Sequence, residues 1–282
     1  MQTYRFMIVD VFTDTPLAGN QLAVCSNATG LTDDLMQRLA AEVNFSETTF
    51  VLPAQAGGDV RMRIFTPTRE LPFAGHPVLG TAFALAGPLQ SNVLRMETGV
   101  GIVPVTLERE GAKVVFGRMS QPVPTIEPFG NAEEELFEAL GVKGSVLPVE
   151  RYDNGVKHVL VSLSSFDEVA SLTPNIAWIE EVVRGGGVST FAVENGRVKT
   201  RMFEPEIGIG EDAATGSAAG PIAVHLARHG VIGWGNEITI SQGAEIGRPS
   251  TLYATARGSN DAIAEVEVGG SAVVIARGEL GI

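Results

Sequence analysis

Thr48-Thr49-Phe50-Val51-Leu52, then a Gly57-Gly58-Asp59 turn, then Arg61-Met62-Arg63-Ile64-Phe65-Thr66-Pro67: this stretch decides the fold because the chain contains it twice. The second copy runs Ser189-Thr190-Phe191-Ala192-Val193, Glu194-Asn195-Gly196, then Lys199-Thr200-Arg201-Met202-Phe203-Glu204-Pro205. Each copy is a pair of alternating segments rich in β-branched and aromatic residues, joined through glycine. That pattern predicts an antiparallel hairpin, and a repeat of it fixes the architecture more firmly than any single motif.

Each hairpin ends at Phe-x-Pro and passes into a loop closing on Gly75-His76 or Gly216-Ser217. Apolar segments of small residues follow, Pro77 to Ala86 and Ala218 to Arg228, and read as helices, with Pro77 suited to a first turn. Strands follow at 93–98, 101–108 and 113–121 in the first half, and at 237–242, 250–257, 262–268 and 273–279 in the second. A shorter strand pair and a helix, Thr32 to Val43 or Phe166 to Leu172, precede each hairpin. The expectation is an α+β fold of two pseudo-symmetric domains, each an antiparallel sheet curled around one central helix. The first spans 1–120 with 270–282 and the second 121–269, with Gln121-Pro122-Val123-Pro124 as the crossover. Duplicated domains of this kind place a site in the cleft between them, where two helix N-termini would hold a small carboxylate.

At 282 residues the chain has room for two domains, and 33 Gly with 15 Pro are more turn residues than a helical bundle uses. Its formal charge of −13 offers no general field for nucleic acid or anionic lipid. Cys25 is the one cysteine, so no intrachain disulfide, thiolate zinc cage or two-thiol racemase site can form. The opening MQTYRFMIVDVF lacks the charged and long apolar regions of a leader, and no run reaches the roughly 18 apolar residues of a membrane span. A cytoplasmic enzyme with no membrane partner is expected.

Aligning the hairpins on Thr49 and Thr190 sets Glu47 opposite Val188. A carboxylate in one copy thus faces an apolar residue in the other, in apolar company that suits proton transfer. His76 follows Gly75, and Asp212 precedes Ala213-Ala214-Thr215-Gly216-Ser217; with Glu47 they make a candidate acid/base set. Other patterns read as structural. Gly208-Ile209-Gly210-Glu211-Asp212-Ala213 has the spacing of a dinucleotide fingerprint, but it follows a hairpin rather than a parallel βαβ strand, and its two acids would repel a pyrophosphate. His225 and His229 stand four apart without the glutamate of H-E-x-x-H, so they are expected to serve a helix C-terminal dipole, with no metal. Glu70 reads as a loop surface charge and Cys25 as a small core residue.

The chain resembles the PhzF, or phenazine biosynthesis-like, family over most of its length. The resemblance rests on Asp10-Val11-Phe12, Pro16 to Asn20, Asn44 to Leu52, Arg63 to Pro67, Glu70 to Pro77, Glu211 to Pro221, His225 to His229 and Gln242 to Ser250 taken together. It implies the diaminopimelate epimerase fold, a homodimer and an isomerase that needs no cofactor. In epimerases of that fold each helix-capping loop carries a cysteine; here the loops read Phe73-Ala74-Gly75-His76 and Ala214-Thr215-Gly216-Ser217, which excludes two-thiol racemisation. By the resemblance, Glu47 is the principal acid/base, and His76 and Asp212 act beside it. Ser46, Gly75, Gly216, Ser217 and Asn20 would bind a small anionic cyclic amino acid. The implied reaction moves a proton of trans-2,3-dihydro-3-hydroxyanthranilate from C3 to C1; isomerisation or epimerisation of another small amino or hydroxy acid is the alternative. One position departs from the family: Gly19-Asn20-Gln21 stands where Gly-Asn-Pro is common, which bears on the stiffness of that loop.

Overall fold

Alternating β-branched and aromatic residues form strands where the repeat places them. Their pairing builds two compact units, Met1–Ser120 with Val268–Ile282, and Gln121–Glu267. The computed structural model describes residues 2–205 and 209–282. The first unit runs β1 (Thr3–Val11), β2 (Asn20–Cys25), α1 (Asp33–Val43), β3 (Glu47–Leu52), β4 (Val60–Phe65), β5 (Glu70–Leu71), α2 (Gly75–Leu89), β6 (Val93–Thr98), β7 (Gly101–Glu110) and β8 (Lys113–Gln121). The second runs β9 (Thr125–Pro128), α3 (Glu133–Leu140), β10 (Glu150–Asp153), β11 (Lys157–Ser162), α4 (Phe166–Ala170), α5 (Ile176–Val183), β12 (Gly187–Glu194), β13 (Arg197–Glu204), β14 (Ile209–Asp212), α6 (Gly216–Arg228), β15 (Glu237–Gln242) and β16 (Ser250–Gly258). β17 (Ile263–Gly270) leads back to the first unit, where β18 (Ala272–Gly281) pairs with β1.

Most neighbouring strands are antiparallel, but among the described residues each unit also has parallel pairs: β2 with β3 and β4 with β6, then β11 with β12 and β13 with β15. The sheets are therefore mixed, which corrects the purely antiparallel expectation. A parallel neighbour needs a crossover connection, and helices supply it: α1, α2, the α4–α5 pair and α6, in that order. Helices α3 and α5 have no counterpart in the sequence reading. Each is eight residues long, too short for its periodicity to stand out.

Strand register also corrects the alignment of the repeat. Thr48 pairs with Phe65 and Val188 with Phe203, so anchoring the copies on their Phe-x-Pro phenylalanines matches Thr48 with Val188 and Glu47 with Gly187. Side-chain direction agrees. Thr49 Oγ1 lies 2.8 Å from Thr81 Oγ1 on α2, and Phe191 packs edge-on against His225 on α6. Glu47 and Thr49 in one unit, and Gly187, Ser189 and Phe191 in the other, thus face the central helix. Val188 and Phe203 face the opposite way, into the core built with α3, α4 and α5, as Phe50 and Phe65 do with Met36 and Ala40 of α1. The Thr-Phe identity misleads by one residue, and one residue in a strand exchanges the faces. Gly187 is closely covered: a Cβ there would collide with Met202 Cε and lie 2.9 Å from Phe203 O. As packed, the second unit has glycine where the first has Glu47, and any side chain there would require Met202 and the backbone near Phe203 to shift.

The central helices are made of small and apolar residues and are buried over most of their length. Gly80 lets the sheet close on α2: a Cβ there would lie 2.6 Å from Val11 Cγ2 and 2.7 Å from Leu22 Cδ2. Gly80→Ala gains about 1 kcal/mol of helix propensity but overpacks the contact by about 1–3 kcal/mol. A lower urea midpoint is the expected net result, and a raised midpoint would mean that the sheet yields to the methyl group without strain. Among the described residues, no helix is long and apolar enough to cross a membrane.

Candidate active site

Three element starts converge in the first unit. Helix α1 ends at Asn44 in the left-handed region, whose N–H returns to Ala40 O, and this turn delivers Ser46 and Glu47 to the start of β3. Helix α2 begins at Gly75, two residues before the expected Pro77, which places His76 in its first turn. Asn20 opens β2. His76 Nε2 lies 3.3 Å from Glu47 Oε2, Asn20 Nδ2 lies 3.2 Å from His76 Nδ1, and Ser46 Oγ donates to Asn20 Oδ1 at 3.1 Å. Glu47 is 7% exposed, and His76 and Asn20 are 3% exposed. Asn20 and Ser46, expected to touch substrate, spend these atoms inside the chain. Ala74 precedes α2 and has no side-chain oxygen with which to cap it.

In the second unit, strand alternation separates the two neighbouring acids. Glu211 forms a bidentate pair with Arg201, Nε to Oε1 at 2.9 Å and Nη2 to Oε2 at 2.7 Å, and Arg201 also donates to Leu172 O at 2.7 Å. Asp212 instead accepts from Thr215 Oγ1 at 2.6 Å. Gln242, which the sequence reading missed, holds this turn together: its Nε2 donates to Asp212 O and Thr215 Oγ1, and its Oε1 accepts from Thr215 N. Thr215 is the cap residue of α6, but its hydroxyl is turned to Asp212 and makes no cap bond. Gly208, the first glycine of the fingerprint-like pattern, lies outside the described residues.

Pro221 lies inside α6 and has no N–H for the carbonyl of Ser217. Asn154 Nδ2 donates to that carbonyl at 2.9 Å, and Gln121 Nε2 donates to Gly216 O at 2.7 Å. A helical proline so close to Gly216-Ser217 was the available signal that some side chain must serve this turn. The other end of α6 is anchored on β10. Tyr152 Oη, His225 Nδ1, Arg228 Nη1 and His229 Nε2 all lie within 2.8–3.1 Å of Glu150 Oε2. Burial opposes ionisation of Glu150, but hydrogen bonds from His225, His229 and Tyr152 hold its carboxyl well below the usual range. Ligand atoms of Glu150, His225 and His229 come within 4.8 Å of one another. A permanently charged guanidinium on the same oxygen makes this a helix anchor, because a cation there would have to displace Arg228. Glu70 pairs with Arg63 at 2.6–2.7 Å, and Cys25 is a core residue whose thiol burial pushes up to about 11.

A family model, that of the phenazine biosynthesis-like protein, matches residues 9–278. The chain is 48% identical over 275 residues to a trans-2,3-dihydro-3-hydroxyanthranilate isomerase of Pseudomonas aeruginosa, covering 98% of both chains. It is 45% identical over 277 residues to one from Pseudomonas fluorescens, covering 98% of this chain and 99% of that one. Among solved structures, a PhzF-family phenazine biosynthesis protein from Bacillus anthracis matches with a TM-score of 0.87 at 28% identity, over 100% of both chains. A hydroxyproline epimerase from Agrobacterium vitis shares the fold, with a TM-score of 0.70 at 12% identity over 99% of this chain and 91% of that one.

Proposed function

The chain belongs to the phenazine biosynthesis-like family and is an isomerase, and from that premise we propose that it converts trans-2,3-dihydro-3-hydroxyanthranilate by a cofactor-free proton transfer on Glu47. As a carboxylate, Glu47 removes the proton from ring C3; as the acid so formed, it returns the proton to C1. The product is an enol that tautomerises to an aminoketone. One carboxyl suffices when the proton leaves and returns on one ring face. Backbone N–H groups at Gly216 and Ser217 take the substrate carboxylate, Gly75 contributes backbone contacts, and His76 with Asp212 steadies charge as it moves.

The observation that carries this reading is the buried contact of Glu47 with His76, in the hairpin copy that carries a carboxylate where the other has Gly187. On the same reading the enzyme works in the cytoplasm as a homodimer on a small anionic cyclic amino acid, with neither nucleic acid nor membrane as partner. Its formal charge of −13 suits that choice of partners. Incubating the protein with the dihydro-hydroxyanthranilate in D₂O should give ketone formation, with deuterium at C1 wherever Glu47 exchanges before returning its proton. Absence of turnover with this compound would transfer the proposal to another small amino or hydroxy acid.

A further inference from the structure

Ser46 Oγ donates to Asn20 Oδ1 at 3.1 Å and Asn20 Nδ2 lies 3.2 Å from His76 Nδ1, while His76 Nε2 stands 3.3 Å from Glu47 Oε2 without hydrogen-bond alignment. A primary amide has a donor side and an acceptor side, and a neutral imidazole has one N–H and one lone pair. This series of contacts can therefore be bonded in two directions. In the first, Ser46 donates to Asn20 Oδ1, Asn20 Nδ2 donates to His76 Nδ1, and His76 turns its Nε2–H toward Glu47 Oε2. In the second, the amide is turned over, His76 carries its proton on Nδ1, and its Nε2 lone pair points at Glu47. With Glu47 ionised, the second direction opposes a lone pair to a buried carboxylate, and low local polarity magnifies that repulsion. The first direction gives each of these contacts a donor and an acceptor.

Resting on the reading of Glu47 as the acid/base, we propose that Asn20 is a positioning residue: its amide fixes His76 as the Nε2–H tautomer, which turns an N–H donor toward the Glu47 carboxyl. The Glu47 carboxyl gains a proton as one substrate C–H bond breaks and loses it as the new C–H bond forms. His76 keeps its own proton throughout, so nothing is consumed. The 3.3 Å contact of His76 Nε2 with Glu47 Oε2 is longer than a charge-assisted hydrogen bond of about 2.7–2.9 Å and is not aligned as one; catalytic contacts of this kind tighten around substrate.

The test reads the tautomer directly. In ¹⁵N-histidine-labelled protein, the His76 signals, identified by their loss in His76→Gln, should show a lone-pair nitrogen at Nδ1 and a protonated one at Nε2. A protonated Nδ1 in the unmodified protein overturns the proposal. Asn20→Asp keeps the shape but can only accept, so His76 should gain a proton at Nδ1. Turnover (kcat) should then fall roughly 10- to 100-fold with KM little changed. An unchanged His76 spectrum, or a rise in KM alone, which would place Asn20 on substrate, refutes it. Ser46→Ala is a second, milder variant that removes the group orienting the amide; a mixture of both tautomers supports the proposal, and a single unchanged one counts against it. The spectra do not depend on turnover, so failure of the proposed reaction and failure of the tautomer assignment are separable.

Discussion

Glu47→Gln is expected to lower turnover by roughly 10⁴-fold, the upper end of what a positioned acid/base supplies, because the same carboxyl serves both removal and return of the proton. The amide has the same shape and can still accept from His76 through its carbonyl oxygen, but it cannot take up a proton and give it back. At a position 7% exposed, conserved volume matters more for folding than the lost charge, so stability should change by no more than about 1 kcal/mol. Substrate binding, measured by calorimetry on the inactive variant, should persist, since the proposed carboxylate contacts are backbone groups at Gly216 and Ser217. Near-wild-type turnover would remove Glu47 from the mechanism. Loss of binding in step with turnover would make it a substrate-holding group instead. The contrast with Asn20→Asp is quantitative: changing a positioning residue costs roughly 10- to 100-fold in turnover, whereas removing the shuttle costs roughly 10⁴-fold.

What the amino-acid order discloses of this fold follows from how local each signal is. The hairpins, their Phe-x-Pro ends and the small-residue helices are local patterns, and all lie where the repeat predicts. Register is not local. The identity of Thr49-Phe50 with Thr190-Phe191 outweighed the phenylalanines at 65 and 203, although the latter are the residues whose partners fix which face is buried. The parallel pairs were likewise hidden, because a hairpin declares its own direction while a crossover declares only that a helix intervenes. In the candidate site, Glu47 stood out as a broken correspondence, but its counterpart by strand register is Gly187, not Val188. Gln242 reaches Asp212 across 30 residues, Asn154 reaches Ser217 across 63 and Glu150 reaches His225 across 75. Contacts that distant leave no spacing to read. Only Pro221 announced one of them, by depriving a carbonyl of its donor.

Replacing His158 by leucine is expected to stabilise the protein and to flatten its loss of stability in mild acid. β11 pairs His158 with Gly187, and β2 pairs Leu22 with Glu47, so once Glu47 is matched with Gly187 His158 is the second unit's counterpart of Leu22. The ring is fully buried, and neither nitrogen has a hydrogen-bond partner among the described residues. Desolvation by burial pushes its pKa down to about 4, against an ordinary value of 6.5. The sign follows from which state takes the proton first. As pH falls below 6.5 the unfolded chain protonates His158 while the folded chain does not, so stability declines from there until the folded pKa is reached and then levels off. Integrated down to pH 4, that amounts to about 3 kcal/mol. His225, also lowered by burial, adds to the decline as the pH falls below 6.5, so the variant should keep part of the slope. Glu150 acts separately, because a carboxyl held low supports the fold until the pH falls below the ordinary carboxylate range. At neutral pH, His158→Leu would also remove two unpartnered polar atoms, a gain of about 1–3 kcal/mol. Urea midpoints at about pH 7.5 and pH 5 for both proteins decide the matter. The variant should be the more stable at both and should lose less between them; the same pH dependence in the two proteins would mean that His158 is not buried as the neutral imidazole.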